Sequence, residues 1–283
     1  MTNEERVVIV GCGHMGLAIA QGLLGATPGR RVLLVEQDAQ RREVIAAELR
    51  GHDGLSIAST PDVGADDFVV LAIPPQGVDD FARREGHRFT PATPVLSVMA
   101  GITSAAIARA LGSSQVVRCI PNTPSEVFEG MSVYYADPLV PAPTVERADL
   151  LLRSIGRALR VPGEEMVDDA TAICGGGPAF VSYMVDAFCQ FARTRGFDDG
   201  DARQMAAQVF GGTAKLIAAS KKEPMRLCRE VMTPNGTTER GIAAFESANV
   251  RNSILTALDA SARRSRELAS AAYPGRTPGV SDA

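Results

Sequence analysis

The stretch IVGCGHMGLAIAQGLL, Ile9–Leu24, decides the fold. It joins an apolar run to an amphipathic stretch through Gly11, Gly13 and Gly16. That Gly-x-Gly-x-x-Gly spacing, directly after a strand-like run at 7–10 and directly before a helical pattern, is the context of a dinucleotide-binding turn. The first glycine permits the tight turn, the second lets backbone approach a pyrophosphate, and the third lets helix and strand pack closely. The first helical amides, at His14 and Met15, then face the phosphates. Glu36 lies twenty residues beyond Gly16, at the end of the next strand-like run. A carboxylate there accepts hydrogen bonds from the adenosine ribose diol and repels the additional phosphate of NADP. The expected cofactor is therefore NADH or NADPH, with NADH slightly favoured. Arg41 and Arg42 are expected on the exposed face of the following helix.

Further along the first half, FVVLAI, PVLSVM and QVVRCI join VVIV and RVLLVE as near-continuous apolar runs. Strands of this kind are buried on both faces and belong to a parallel sheet covered by helices. Helical patterns at 15–25, 39–50 and 103–111 supply crossovers, which makes the amino-terminal half a doubly wound α/β domain. Ala72, Pro74 and Pro75 in AIPPQ, Ala100 and Gly101 in AGIT, and Pro121 and Asn122 in PNTP each follow a strand. The carboxyl edge of an open α/β sheet is where ligands bind, so all seven join the candidate cofactor residues.

After RALRVPG the strand signal stops. The patterns at 181–195, 202–220, 225–231, 237–247 and 251–271 read as helices, with a boundary near Pro162 or Gly163. The expected organisation is a Rossmann-type domain over 1–162, a helical dimerisation and substrate domain over 163–273, and a flexible tail over 274–283. The helix from Val181 is apolar almost all round, a pattern that needs cover on every side. A homodimer built on helix packing supplies it. In CGGGPAF, Gly175, Gly176 and Gly177 precede Pro178, a good first residue of a helix, and bring backbone close to a ligand. In TPNGTTERG, Pro234, Asn235 and Gly236 form a turn ahead of Thr237 and Thr238. Free amides and two hydroxyls at that helix start form a seat for a carboxylate.

The chain has 45% hydrophobic and 22% charged residues and a formal net charge of −4, a globular composition without a dense basic run. Nucleic acid is not an expected partner. Its five cysteines are scattered, without a Cys-x-x-Cys pair, and no secretory signal is read at the start, which points to a reducing cytoplasm. Its three histidines are too dispersed for a metal site by spacing, and no metal is expected. The low-charge stretch 171–192 contains Asp186 as its one charge. Gly175 to Pro178 are expected to break it, leaving too short a helix to cross a bilayer, so no membrane association is expected.

Taken in order, GCGHMG, VVLAIPPQ, SVMAGIT, RCIPNTPSEVFEGM, CGGGPAF, GTAKL and MTPNGTT resemble the pyrroline-5-carboxylate reductase family, from about Val7 to Leu268. The resemblance implies a Rossmann domain, a helical dimerisation domain, and an active site where one subunit's nicotinamide meets a substrate seat at the dimer interface. It implies reduction of 1-pyrroline-5-carboxylate to proline. The seat is then Met232, Thr233, Asn235, Gly236, Thr237 and Thr238, with Thr238 near the ring nitrogen as the candidate catalytic residue. Pro121 and Asn122 would border the nicotinamide, and Gly175 to Pro178 would approach the substrate. Departures from the family pattern fall at Gly176 and Phe180, where hydroxyls are missing, at Asn235 in place of glycine, at Pro74 in place of lysine, and at Glu239 in place of an apolar residue. They keep a related cyclic imine acid open as the substrate.

The implied chemistry is hydride transfer to an iminium carbon, in which positioning carries most of the catalysis. Thr238, or water held by it, would relay the proton to the ring nitrogen. Two rivals have other roles. A β-hydroxyacid dehydrogenase would use Lys215 as acid/base, but that family places asparagine four residues later, where this chain has Ala219. A dinucleotide sensor would keep the fold and lack the chemistry.

Overall fold

A computed structural model describes residues 5–27 and 29–272; the expected tail at 274–283 lies outside them. The described residues divide into two compact units, the first reaching to Gly176 and including those from Ser261 onward, the second being Gly177–Ala260.

The first unit is built on an eight-stranded sheet of order β3-β2-β1-β4-β5-β6-β7-β8. The five anticipated strands are β1 (Val7–Val10), β2 (Val32–Val35), β4 (Phe68–Leu71), β5 (Pro94–Ser97) and β6 (Gln115–Ile120). All five run parallel, and Ile9 pairs with both Leu34 and Val70. Their side chains alternate between two cores. Val7 and Ile9 join Ile19 and Leu23 of α1 (His14–Ala26) and Leu151 of α5 (Ala142–Arg153). Val8 and Val10 join Phe81 of α3 (Val78–Glu85) and Ile107 of α4 (Ser104–Leu111). Both faces are thus covered, which is why these strands read as unbroken apolar runs. α2 (Ala39–Glu48) follows β2 as expected.

Three strands have no such signal. β3 (Leu55–Ala58) is an edge strand, only half-buried. β7 (Gly130–Ala136) is antiparallel to β6, so the sheet is mixed rather than purely parallel. The reason is connection length: only the short turn at Thr123–Val127 separates the two strands, whereas a parallel return needs a crossover of a dozen or more residues. β8 (Gly156–Arg160) returns through α5 and pairs in parallel with β7 at the opposite edge. Its register is pinned by two glycines, since Gly156 (φ +146°) faces Gly130 and a Cβ on Gly156 would fall on the Gly130 backbone.

The most deeply enclosed charges described in this unit are Arg118 and Asp168. Arg118 on β6 is 1% exposed and ion-pairs with Asp168 of α6 (Glu165–Ala170) and, at 3.4 Å, with Glu164. Glu164 also accepts from the Ser104 amide at 2.6 Å, fastening α4 to the start of α6.

The second unit is helical: α7 (Gly177–Thr194), α8 (Asp199–Ser220), α9 (Pro224–Val231), α10 (Thr237–Ser247) and the first part of α11 (Val250–Ala272). α7 and α8 close on a small core of Cys189, Ala192, Ala202 and Ala206, with Phe188 edge-on to Phe210 at 5.1 Å. α8 is capped by Asp198, whose carboxylate accepts from the Asp201 amide at 2.8 Å. Several large apolar side chains remain uncovered, including Tyr183 at 82% and Phe191 at 63% exposure.

The expected break at Gly175 to Pro178 does not occur. α6 runs through a π turn at Thr171–Gly175 into α7, with the Gly176 amide donating to the Thr171 carbonyl at 2.9 Å. Pro178 is the second residue of α7, where a missing amide hydrogen costs nothing. The resulting 30-residue run Glu165–Thr194 is, by length and composition alone, long and apolar enough to cross a membrane. The expectation of too short a helix is corrected accordingly.

Candidate functional site

The glycine turn opens a cleft of about 740 Å³ in the first unit. Gly11, Gly13, His14, Met15, Glu36, Ala72 and Pro74, named from sequence in three separate segments, all line it. The parallel sheet explains this, because β1, β2 and β4 are neighbours and these residues follow their carboxyl ends.

Each glycine answers a different demand. Gly11 has φ +97°, and a Cβ there would lie 2.6 Å from the Ala72 carbonyl oxygen. Gly16 is set back from the cleft, where a Cβ would fall on the Gly11 carbonyl oxygen, so it packs α1 against β1. Gly13 is the exception: its φ is −72°, and a Cβ would meet nothing within 4 Å. Gly13 therefore leaves open space on the cleft side of the turn. α1 begins without a side-chain cap or an acidic residue in its first turn, and its first bond is Leu17 N to Gly13 O. The amides of His14, Met15 and Gly16 are left for an outside acceptor. A pyrophosphate fits that donor set.

At the adenosine end, the Glu36 side chain is 16% exposed, with Oε2 3.6 Å from Arg41 Nε and Oε1 accepting from the Asp38 amide at 3.1 Å. Arg41 stays exposed as expected, its side chain 51% accessible, whereas Arg42 is partly buried. Arg41 turns back into the cleft and donates to the Cys12 carbonyl, while Arg42 donates to the Glu36 and Gln37 carbonyls at 2.9 and 2.7 Å. A carbonyl beyond the end of β1 recruits Arg41, and carbonyls beyond the end of β2 recruit Arg42. Burial, reinforced by Glu36, pushes the Cys12 thiol up to about 12, so it is inert filling beneath the loop. His14 is exposed, with Nδ1 3.1 Å from Glu126 Oε1.

The other strand-end residues lie outside the cleft lining. Pro75 opens the Pro75–Gly77 turn, and Ala100 and Gly101 (φ +75°) lead to Thr103, which caps α4 by accepting from the Ala106 amide at 3.2 Å. Pro121 is buried, and Asn122 Oδ1 accepts from the Met131 amide at 2.8 Å, joining the turn after β6 to β7. Ser59, Asp80 and Arg84 line the cleft although sequence reading missed them. They follow or belong to β3 and α3, neither of which has a strong enough pattern to be recognised.

In the second unit the segment 232–238 forms the expected turn and helix start. The Gly236 amide donates to the Thr233 carbonyl at 2.8 Å, Asn235 takes the left-handed conformation at φ +59°, and α10 starts at Thr237. A Cβ on Gly236 would fall on Thr233 Oγ1, so the turn is closed too tightly for any other residue. Met232 leads in, its amide bonded to the Arg229 carbonyl at 3.1 Å. Among the described residues the hydroxyls of Thr237 and Thr238 have no hydrogen-bond partner. Glu239 Oε2 accepts from the Asn235 amide at 2.6 Å. Of the glycine run, Gly175 and Gly176 end the first unit, and Gly177 and Pro178 begin the second.

The pyrroline-5-carboxylate reductase dimerisation family matches residues 164–268, and the family described as NADP oxidoreductase, coenzyme F420-dependent, matches residues 6–101. The pyrroline-5-carboxylate reductase of Pseudomonas aeruginosa is 32% identical over 270 residues, covering 94% of this chain and 98% of that one. The Pisum sativum enzyme of the same name is 30% identical over 275 residues, covering 95% and 97%. Among solved structures, a pyrroline-5-carboxylate reductase from Coxiella burnetii superposes with a TM-score of 0.82 at 26% identity, covering 93% and 97%. At 20% identity, the fold is shared with a pyrroline carboxylate reductase of Plasmodium falciparum solved with NADP bound, TM-score 0.81, covering 95% and 100%. At 32% identity over nearly the full length of a named member, the chain belongs to the pyrroline-5-carboxylate reductase family.

Proposed function

We propose that this chain reduces 1-pyrroline-5-carboxylate to proline with a reduced nicotinamide dinucleotide. The observation that carries the reading is Gly13, the one glycine of the turn at which a Cβ would meet nothing within 4 Å and which lines the cleft. A bound dinucleotide would supply the hydride. The residues present do the rest by position. The turn at Gly11 and the free amides of α1 would hold the pyrophosphate, and Glu36 would accept from the ribose diol.

At the second unit, the amides and hydroxyls of Thr237 and Thr238 would hold the substrate carboxylate, with Met232, Thr233 and the turn at Asn235 and Gly236 shaping the seat. Thr238 would pass a proton to the ring nitrogen as its carbon is reduced, and the backbone at Gly175 to Pro178 would border the ring. Pro121 and Asn122 would border the nicotinamide, as would Ala100 and Gly101. We infer a preference for NADH over NADPH from Glu36, since a carboxylate at that place opposes a ribose phosphate; Arg41 at 3.6 Å moderates that opposition. We also infer that residues 163–273 dimerise and that a second copy covers the apolar side chains of α7, among them Tyr183 and Phe191, in place of lipid. Five cysteines free in the chain suit a reducing cytoplasm.

The test is dinucleotide oxidation by the full chain with NADH or NADPH against a panel of cyclic imines, with and without a ring carboxylate and of differing ring size. Turnover greatest with 1-pyrroline-5-carboxylate supports the reading. Dinucleotide binding without turnover across the panel overturns it.

A further inference from the structure

The residue after Thr238 is a glutamate, and its carboxylate already occupies the seat's own turn: Glu239 Oε2 accepts from the Asn235 amide at 2.6 Å. An acid three residues into a helix often reaches back to the capping amide as ordinary capping. Here the capping amide, that of Gly236, is already held by the Thr233 carbonyl at 2.8 Å, so Glu239 reaches one residue further, to the left-handed Asn235. It is the one acidic residue in the first turn of α10. Among the described residues no base pairs with it, so its charge is unopposed where an anion is to be received.

We propose that Glu239 is a resident carboxylate of the substrate seat, and that it sets how strongly the seat favours an acid-bearing ring over a neutral one. The proposal rests on the functional reading above. A ligand carboxylate that accepts from the amides of Thr237 and Thr238 shares a single turn with the Glu239 carboxylate, and the two repel. A ligand of the same ring with an uncharged carboxamide escapes that repulsion. In a solvent-open site, a like charge at this range changes affinity by about fivefold. Glu239 therefore narrows the margin between acidic and neutral rings without touching the reacting atoms; it is a specificity-determining residue, not a catalytic one.

The test is calorimetric titration of the full chain, loaded with oxidised dinucleotide, with proline and with prolinamide. Glu239→Gln keeps an acceptor for the Asn235 amide and removes the charge. It should tighten proline by about fivefold and leave prolinamide within about twofold. Glu239→Ala, which removes charge and acceptor together, should move the proline-to-prolinamide ratio in the same direction. Equal shifts for both ligands would show that Glu239 only braces the turn, and an unmoved ratio or no proline binding by either form would equally overturn the proposal. Wild-type turnover of 1-pyrroline-5-carboxylate is measured alongside. Its absence with either dinucleotide defeats the functional reading, whereas turnover with an unmoved ratio defeats this proposal alone.

Discussion

Replacing each glycine of the first turn by alanine separates what the fold needs from what the ligand needs. Gly13 has φ −72° and ψ −174°, a conformation open to alanine, and its Cβ would meet nothing within 4 Å. As the residue before α1 it loses the modest capping advantage of glycine, about 0.5–1 kcal/mol. Against that, alanine restricts the unfolded chain and returns about 0.4–1 kcal/mol. The two nearly cancel, so Gly13→Ala should leave stability within about 0.5 kcal/mol of the parent. Gly11→Ala faces φ +97° and a backbone oxygen at 2.6 Å, costing roughly 1–2 kcal/mol for the left-handed backbone alone. Gly16→Ala drives a methyl into the Gly11 carbonyl, an overpacking cost of roughly 1–3 kcal/mol. Dinucleotide affinity should rank differently. A methyl at 13 stands where the pyrophosphate meets the amides, and losing one or two charge-assisted hydrogen bonds weakens binding roughly 10- to 100-fold. Urea denaturation gives the first quantity and fluorescence titration with NADH the second. If Gly13→Ala is as unstable as Gly16→Ala, or binds NADH unchanged, the assignment of this turn is refuted.

Four other outcomes are expected. Arg118→Met removes the buried cation that pairs with Asp168 and Glu164 and should cost about 3–5 kcal/mol in urea denaturation, with part of that loss recovered when Asp168→Leu is added. Burial raises the thiol of Cys12 to about 12 and, with help from Asp149, the phenol of Tyr134 to about 12, from ordinary values of 9.0 and 10.0. The folded state therefore keeps protons that the unfolded chain releases, and stability present below pH 9 should fall between pH 9 and 12, seen as a dropping urea midpoint; a flat midpoint over that range would contradict the burial. Glu36→Ser should shift the NADPH-to-NADH ratio of kcat/KM upward by about tenfold, and no shift would remove Glu36 from cofactor choice. Tyr183→Asp with Phe191→Asp places two charges on the uncovered face of α7 and should halve the mass measured by light scattering, provided the parent is a dimer.

Sequence displayed the parallel core because its strands are buried on both faces and are mostly apolar, wholly so in Val7–Val10 and Phe68–Leu71. β8, with Arg157 and Arg160 exposed, and half-exposed β3 lack that signature because one of their flanks meets no strand. The dinucleotide cleft was legible where single strand ends supply it. It was not legible at Asp80 and Arg84, whose place depends on a short helix rich in charge. The glycine run 175–177 misled for a physical reason: glycines and a proline usually end a helix, but here a π turn reaches Gly175 and α7 starts at Gly177, so a single residue, Gly176, lies between them. Glu239 was visible as a charge out of place. Only coordinates reveal which amide it holds.

The locked start of β8 has a consequence for the exposed edge of the sheet. A sheet's outermost strand is a template for foreign chains, and charged side chains along it deter them; Arg157 and Arg160 stand on this one. That protection depends on β8 staying docked, which depends on Gly156 lying flat against Gly130. Any side chain at either glycine would peel the guarded strand away and lay bare the mostly apolar GMSVYYA of β7. Such a lesion would show itself as inclusion bodies and a burden on chaperones before any defect in turnover became measurable.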